Sequence, residues 1–512
     1  MKMVKSLLLG SAAGLFAVAG AQAADLPVKA KPVEYVKVCS LYGAGFYYIP
    51  GTDTCIKIGG FVRTEWLHNA AGSFSTYVNG ADALYTRNTN TLRNRSRIIT
   101  SFDVRSQTEY GTLRAYARAG WQWTSQDPTF GGSSGTVYLD RAFIQFAGFT
   151  FGKTQSFFDF FCTGCYSLST NFVYADTGGS GTPVAAYTAQ FGNGVSATLS
   201  LEDATERRNP IVSLDLVQRT ASVTAGNVPG VTQNGPFVVG VGNLDSSEGY
   251  KVPDIVGALR VDQAWGSAQI SGAAHYLAAS YYTTGPGGTS QSQANGHPGD
   301  TWGWAANAGL TLKMPWDPKD TLSMQGTYCD GATRYCVNNS AGLNPLNGLM
   351  SNMVNTNTVA AAWADDAFFV TGGGLEKSKM WSAVAAFEHY WTPSLRQSVY
   401  GGYASYDANS ASVDARMCGG GSGCMDWNAW QVGSRLLWNP VANLDIGLDV
   451  MYTKVDGTNC ARAAGSSAAA GGTVGAVSCG TVAVGAPIAS TLNLGSTDVW
   501  SGVFRVQRNF WP

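Results

Sequence analysis

Beyond its first two dozen residues this sequence contains no long apolar run, and charge is scarce along its whole length. The first absence excludes a bundle of spanning helices, each of which needs about 20 consecutive apolar residues. The second argues against an ordinary soluble domain. Asp, Glu, Lys and Arg make up 13% of the 512 residues, where a globular chain carries roughly 25%. Histidine is scarcer still. His68, His275, His297 and His389 are the full set, and none forms a spaced pair such as H-E-x-x-H that would hold a catalytic zinc. No metal and no cofactor is expected. Nor is there a basic tail, so nucleic acid is not an expected partner.

The N-terminus supplies the first positive signal. Lys2 and Lys5 precede a small apolar stretch from Ser6 to Gly20, and Ala21-Gln22-Ala23 closes it with an A-x-A box. That layout predicts a cleaved secretory signal peptide over residues 1–23 rather than an anchor, because the apolar stretch is short and the box follows at once. Its removal takes two lysines and leaves a formal charge of −3, with 31 Lys and Arg against 34 Asp and Glu. Ten cysteines suit an oxidising compartment outside the cytosol. They fall as near neighbours: Cys39 and Cys55, Cys162 and Cys165, Cys329 and Cys336, Cys418 and Cys424, Cys460 and Cys479. Local disulfides would explain that spacing without long-range crossings, although connectivity does not follow from sequence.

From about Cys55 to Phe510 the chain alternates between period-two segments and punctuation. In the stretch 302–313, Trp302, Trp304, Ala306, Ala308, Leu310 and Leu312 share one face, opposite Asn307, Thr311 and Lys313. The same alternation marks 112–121, 268–276, 321–328 and 443–454. These segments approach the 9–11 residues of a tilted membrane strand rather than the 5–6 of an ordinary one. Because greasy and wet faces alternate, mean hydropathy comes out near zero. Short turns (109–111, 147–149, 192–194, 265–266, 315–320, 391–393, 439–440) alternate with long connections at 69–94, 125–135, 156–182, 204–250, 279–300, 331–378, 407–426 and 456–496. This is the pattern of an all-β, antiparallel, up-and-down transmembrane barrel of about sixteen strands over residues 55–512. Residues 24–54 precede it as an N-terminal segment on the periplasmic side.

A barrel of about 16 strands leaves a water channel, where an eight-stranded one fills with side chains. Arg93, Arg95 and Arg97 share the inward parity as the second strand begins, with Asp103, Arg105, Gln107 and Glu109 continuing it. Arg114, Arg118 and Arg141 add to a basic wall from neighbouring strands. The expected counterpart is the third long connection, 156–182, folded inward as a constriction. Its aromatics (Phe157, Phe158, Phe160, Phe161, Phe172, Tyr174) would pack inside, and Asp159 and Asp176 would face the arginines. Charge and bore size would then set selectivity. The plainer alternative is that these arginines are solvated lumen residues paired with local carboxylates.

The opening Glu34-Tyr35-Val36-Lys37-Val38-Cys39-Ser40-Leu41-Tyr42-Gly43-Ala44-Gly45-Phe46-Tyr47-Tyr48-Ile49-Pro50-Gly51-Thr52-Asp53-Thr54-Cys55, continuing through Ile56-Lys57-Ile58-Gly59-Gly60, resembles the first signature of the outer-membrane porins of alphaproteobacteria. Thr108-Glu109-Tyr110-Gly111-Thr112-Leu113-Arg114 is similar to that family's first periplasmic turn, and Val506-Gln507-Arg508-Asn509-Phe510 to its final strand. The resemblance implies a sixteen-stranded barrel in the outer membrane, usually a homotrimer, that passes small hydrophilic solutes and ions passively. It also implies that the third loop constricts each pore and that barrel-assembly machinery inserts the chain in the lipid bilayer. Such barrels often end in an aromatic read by that machinery, and here Phe510 is followed by Trp511 and Pro512.

Other classes fare worse. Gly131-Gly132-Ser133-Ser134-Gly135 matches G-x-S-x-G but lies in a Gly/Ser loop without the strand-to-helix turn a nucleophile needs. Cys162-Thr163-Gly164-Cys165 is a single C-x-x-C, better read as a loop-bracing disulfide than as a redox or zinc motif. The chain is therefore expected to be a general diffusion channel and not an enzyme. A substrate-specific channel and a structural or adhesin-like surface barrel are the alternatives.

Overall fold

A computed structural model describes residues 37–68, 92–127, 132–168, 181–215, 245–286, 290–337, 348–352, 358–417, 423, 425–456, 481–484, 490–494 and 496–510. The chain divides into two units, 1–56 and 57–512. In the first, Cys39 is bonded to Cys55, and Tyr47–Tyr48 pairs antiparallel with Cys55 and Ile56. Cys39, Phe46 and Cys55 form a small buried cluster flanked by Tyr42 and Tyr48. The leader expected over 1–23 lies outside the described residues.

The second unit is a closed antiparallel barrel of sixteen strands. They are β1 (Cys55–His68), β2 (Leu92–Thr108), β3 (Gly111–Asp127), β4 (Gly132–Phe146), β5 (Phe149–Thr154), β6 (Thr182–Gly192), β7 (Val195–Glu202) and β8 (Asp254–Gln263). Then follow β9 (Gly266–Leu277), β10 (Thr301–Lys313), β11 (Thr321–Asp330), β12 (Lys379–Thr392), β13 (Leu395–Asp407), β14 (Trp427–Trp438), β15 (Leu444–Asp456) and β16 (Thr497–Asn509). Each pairs with the next, and β16 returns to β1 from Phe61↔Asn509 to His68↔Gly502. Closure leaves no sheet edge, the condition for strands in lipid, where an unpaired backbone group finds no water. Short turns alternate with long connections as the sequence predicts, with strand ends extending further at two places: β2 begins at Leu92, and β3 and β4 leave only 128–131 between them. The segment 132–135, read above as loop, is thus the start of a strand. Asn193 and Gly194 join β6 to β7 with φ of 48° and 73°, the left-handed pair that a tight hairpin requires.

The two faces of the sheet differ as a wet bore and a lipid coat demand. On β9, Ile270 is 60% exposed while its neighbour Gln269 is 6% exposed. Leu199, Leu259, Trp304, Val399, Leu448 and Phe504 are exposed on the outside. Ser271, Asn307, Ser323, Gln325, Gln431 and Thr453 are buried on the inside. Aromatics gather at both rims. Tyr276–Trp302, Trp304–Tyr328, Trp381–Tyr403 and Trp430–Tyr452–Trp500 are ring contacts of 4.9–5.4 Å towards the long-loop ends. Trp265, Trp391, Trp438 and Phe191 are exposed near the short turns. From Trp265 to Tyr276, eleven steps at about 3.4 Å and a tilt near 45° span roughly 26 Å, about the height of an apolar band.

Described parts of the long connections pair and pack with one another. Ile211–Ser213 pairs parallel with Ala367–Phe369, which pairs antiparallel with Glu376–Lys377. Ile211, Leu277, Ala279, Ala367 and Phe369 pack together there. A larger core joins Phe158, Tyr335, Phe368, Tyr406, Val413 and Trp427 from the loops and strand ends.

Candidate functional site

Strands β2, β3 and β4 bring the predicted arginines together through their register. Arg95 lies opposite Thr124 and Arg97 opposite Gln122. Arg95 Nε donates to Thr124 Oγ1 at 3.1 Å, and Arg97 donates to Gln122 Oε1 from Nε at 3.1 Å and from Nη2 at 2.7 Å. Arg93 Nε faces the Ser125 carbonyl at 3.5 Å. Further down, Arg105 and Arg114 are cross-strand partners, an arrangement in which like charges would repel. Asp103 resolves it by accepting from both, with ion-pair distances of 2.8 and 2.9 Å. Arg118 and Arg141 repeat the motif around Asp140, at 2.9 and 3.6 Å. A register shift between Arg118 and Ala119 makes Asp140 the extra residue of a bulge, which re-aims its side chain.

Rings interleave with the guanidinium groups. Arg63 and Arg118 lie 4.4 and 5.9 Å from the Phe61 ring, Arg97 lies 5.7 Å from Tyr138, and Arg114 lies 5.1 and 5.4 Å from Tyr116 and Phe143. The wall continues beyond the predicted residues. Arg63 Nε donates to Gln507 Oε1 at 2.7 Å, and Arg505 Nε to Glu65 Oε1 at 2.7 Å. Arg63, Glu65 and Arg505 share the inward alternation of β1 and β16, and that parity would have found them.

The connection after β5 turns inward and runs along the wall from β7 round to β16. Its backbone groups, taken away from water, need partners, and residues of seven strands supply them. Phe157 N donates to Glu202 Oε1 of β7 at 3.0 Å, and Ser271 Oγ of β9 and Asn307 Nδ2 of β10 donate to the Phe158 carbonyl at 2.7 and 3.2 Å. Phe161 N donates to Gln325 Oε1 of β11 at 2.8 Å, and Ser398 Oγ of β13 to the Tyr166 carbonyl at 2.7 Å. Asp449 of β15 accepts from Ser167 Oγ at 2.8 Å and from Leu168 N, and Arg505 Nη2 of β16 donates to the Leu168 carbonyl at 2.8 Å. Phe160 lies against Gly309, where a Cβ would stand 2.2 Å from its ring. Phe158 and Phe161 are buried, as a loop packed inside requires.

Asp159 departs from the expectation. It does not stand free opposite the arginine wall but is ion-paired with Arg207, from the turn Ala204–Arg207 after β7, and both side chains are 1% exposed. A carboxylate that deep needs a cation at contact, and Arg207 is available where the β2–β4 arginines are not. Burial would lower the Arg207 pKa, but Asp159, Tyr335 and Glu202 together outweigh it and raise it above its ordinary value. Asp176, Phe172 and Tyr174 lie outside the described residues.

His275, which forms no spaced motif in the sequence, sits in a polar cluster. It is fully buried, with Nδ1 2.8 Å from Asp254 Oδ1 and Nε2 3.7 Å from Asp366 Oδ2. Tyr335 Oη donates to Asp254 Oδ2 at 2.6 Å. Asp366 accepts from the amides of Asn209 and Thr333, each at 2.7 Å. Burial pushes Asp366 up to about 6, against the pull of His275 and these donors. No sequence spacing announces this cluster, because its members come from β8, β9 and two separate loops. Among the described residues no group of three or more His, Cys, Asp or Glu could hold a metal ion.

Among the described residues three disulfides are formed: Cys39–Cys55, Cys162–Cys165 and Cys329–Cys336. Cys418, Cys424, Cys460 and Cys479 lie outside the described residues. Ser134 and Gly135 sit in β4, so the G-x-S-x-G match has no strand-to-helix turn.

A family profile described as the porin subfamily matches residues 25–483. Porin Omp2a of Brucella ovis is 38% identical over 221 residues, covering 40% of this chain and 60% of its own. Porin Omp2b of Brucella canis is 34% identical over 273 residues, 52% of this chain and 64% of its own. The matched segments thus span less than two thirds of these relatives. Among solved structures, the outer membrane channel DcaP of Acinetobacter baumannii superposes with a TM-score of 0.52 at 14% identity, over 90% of this chain and 99% of that one.

Proposed function

This chain belongs to the porin subfamily, and from that premise we propose that it forms a water-filled channel in the outer membrane for passive diffusion of small hydrophilic solutes and ions. One observation carries the reading: a closed barrel with an apolar outside and a polar inside has a loop bound along one part of its inner wall and arginines along another. A barrel of sixteen strands is wide enough to keep a wet lumen, and the inward loop narrows it. Arg93, Arg95, Arg97, Arg105, Arg114, Arg118 and Arg141 line the arginine side of that narrowing. The acidic counterpart is shared among Asp103, Asp140 and Glu65 on the wall itself, in addition to any contribution from Asp176. Asp159 serves to hold the loop. The chain is exported through the leader at 1–23, inserted by barrel-assembly machinery that reads Phe510 or Trp511, and assembles as a homotrimer.

Liposome swelling tests the reading. Reconstituted protein should admit a pentose faster than a disaccharide, with rates that rise linearly with solute concentration. Impermeable liposomes would overturn it. Uptake that saturates for one solute would replace it with a substrate-specific channel.

A further inference from the structure

The three disulfides differ in access. Cys39 and Cys55 are 0% and 1% exposed, and Cys329 and Cys336 are both 0% exposed. Cys162 and Cys165 are both exposed, although Phe161, Thr163, Tyr166, Ser167 and Leu168 around them are buried. This turn is fixed to the wall by one side and presents its sulfur-bearing residues on the other, towards the bore.

The bond is also not what holds the turn. Cys165 N donates to the Cys162 carbonyl at 3.2 Å and Ser167 N to the Thr163 carbonyl at 2.9 Å. Ser398, Asp449 and Arg505 grip the residues that follow. Cys162 and Cys165 are three positions apart in sequence, and closing so short a loop removes little freedom from an unfolded chain. Access is better provided for: exchange needs an incoming thiolate to reach a sulfur, and both cysteines of this pair are exposed.

We propose that Cys162–Cys165 is a thiol–disulfide exchange site open to the bore, taking low-molecular-weight thiols as its substrates. An incoming thiolate attacks one Sγ, its sulfur bonds to that cysteine, and the Cys162–Cys165 bond breaks with its electron pair on the other Sγ. A second thiolate attacks the mixed disulfide. It leaves as the oxidised dimer of the small thiol, and both cysteines are released reduced. In total two small thiols are oxidised and one protein disulfide is reduced. The mixed disulfide hangs its adduct from the inward loop, so the reaction would alter passage. This last consequence rests on the channel reading above.

The test uses folded barrel in detergent, incubated with reduced glutathione at pH 8, quenched with acid and alkylated, then mapped by peptide mass. Adducts or alkylated thiols at Cys162 and Cys165 should appear at least tenfold faster than at Cys39, Cys55, Cys329 and Cys336. Equal rates at the three bonds, or no reaction at Cys162 and Cys165 before denaturation, overturn the proposal. In planar bilayers, mild reduction followed by a sulfonated methanethiosulfonate should lower the conductance of the wild type and leave the C162S/C165S variant unchanged. The same loss in that variant overturns the assignment. If untreated protein shows no conductance, the channel reading has failed and peptide mapping alone decides the exchange site.

Discussion

Two parts of the inner wall carry similar polar residues and use them differently. On β2 to β4 the guanidinium groups of Arg95 and Arg97 are held by neutral acceptors, Thr124 and Gln122, and among the described residues neither forms an ion pair. From β7 to β16, Glu202, Gln325, Ser398, Asp449 and Arg505 bind the backbone of an inward loop. On the function proposed above, one part presents a field to the bore and the other provides a mount. The comparison teaches that inward parity makes a residue available to the lumen but does not decide what it will bind there.

The largest effect should come from breaking the mount. Asp449 accepts from Ser167, Leu168 and Tyr400, and charge-assisted bonds are worth about 1.5–3 kcal/mol each. Asp449→Ala should loosen the loop by roughly 3 kcal/mol or more, seen as new protease cleavage between Phe157 and Leu168 and as noisier, larger current steps. A loop as resistant as in the wild type would show that Asp449 is not the anchor.

Sensitivity to pH should also fall on the mounted side, where carboxylates are sealed from water. Asp366, raised by burial to about 6, is protonated in both folded and unfolded chains below its ordinary value near 4 and costs folding energy once ionised inside. Its contribution is present in full below pH about 4 and lost as pH rises through about 6, on the order of 3 kcal/mol. The amides of Asn209 and Thr333, which donate to it, should exchange more readily at pH 8 than at pH 5 after correction for intrinsic rates. Identical protection would contradict this.

Glycines sharpen the comparison by a smaller amount. Gly309 faces Phe160 of the loop, and Gly120 faces the ring of Tyr138, each with room for no Cβ, since one would sit 2.2 Å from the ring. Gly309→Ala should displace the loop at a cost of about 1–3 kcal/mol and expose it to protease. Gly120→Ala should leave the loop protected, because only a wall side chain must move.

The smallest shift in energy belongs to the field. Replacing Arg95 and Arg97 with Gln should favour cations over anions by about fivefold, roughly 1 kcal/mol, without disturbing loop protection. The shift should shrink at 1 M salt, where screening acts within about 3 Å. Reversal potentials in a KCl gradient read it directly.

Much of this was legible in the sequence. Alternation set Trp302 and Trp304 on the face opposite Asn307, and they are exposed where Asn307 is buried, because a closed sheet with one greasy face forces period two on every strand. Turn lengths gave the strand count for a similar reason. The partners of Asp159 and His275 were not legible. Arg207 and Asp366 reach them from connections whose paths are set by packing of Phe158, Tyr335 and Phe368, and no spacing along the chain encodes such meetings. Residue type alone made Asp159 a plausible member of the field, whereas burial made it part of the mount.

Single-channel recording in planar bilayers tests the open bore most directly. The account predicts discrete steps whose size grows in proportion to KCl from 0.1 to 3 M without a plateau, in protein that shifts on gels only after heating. Folded, heat-modifiable protein that gives no steps, or steps that level off with salt, would contradict it.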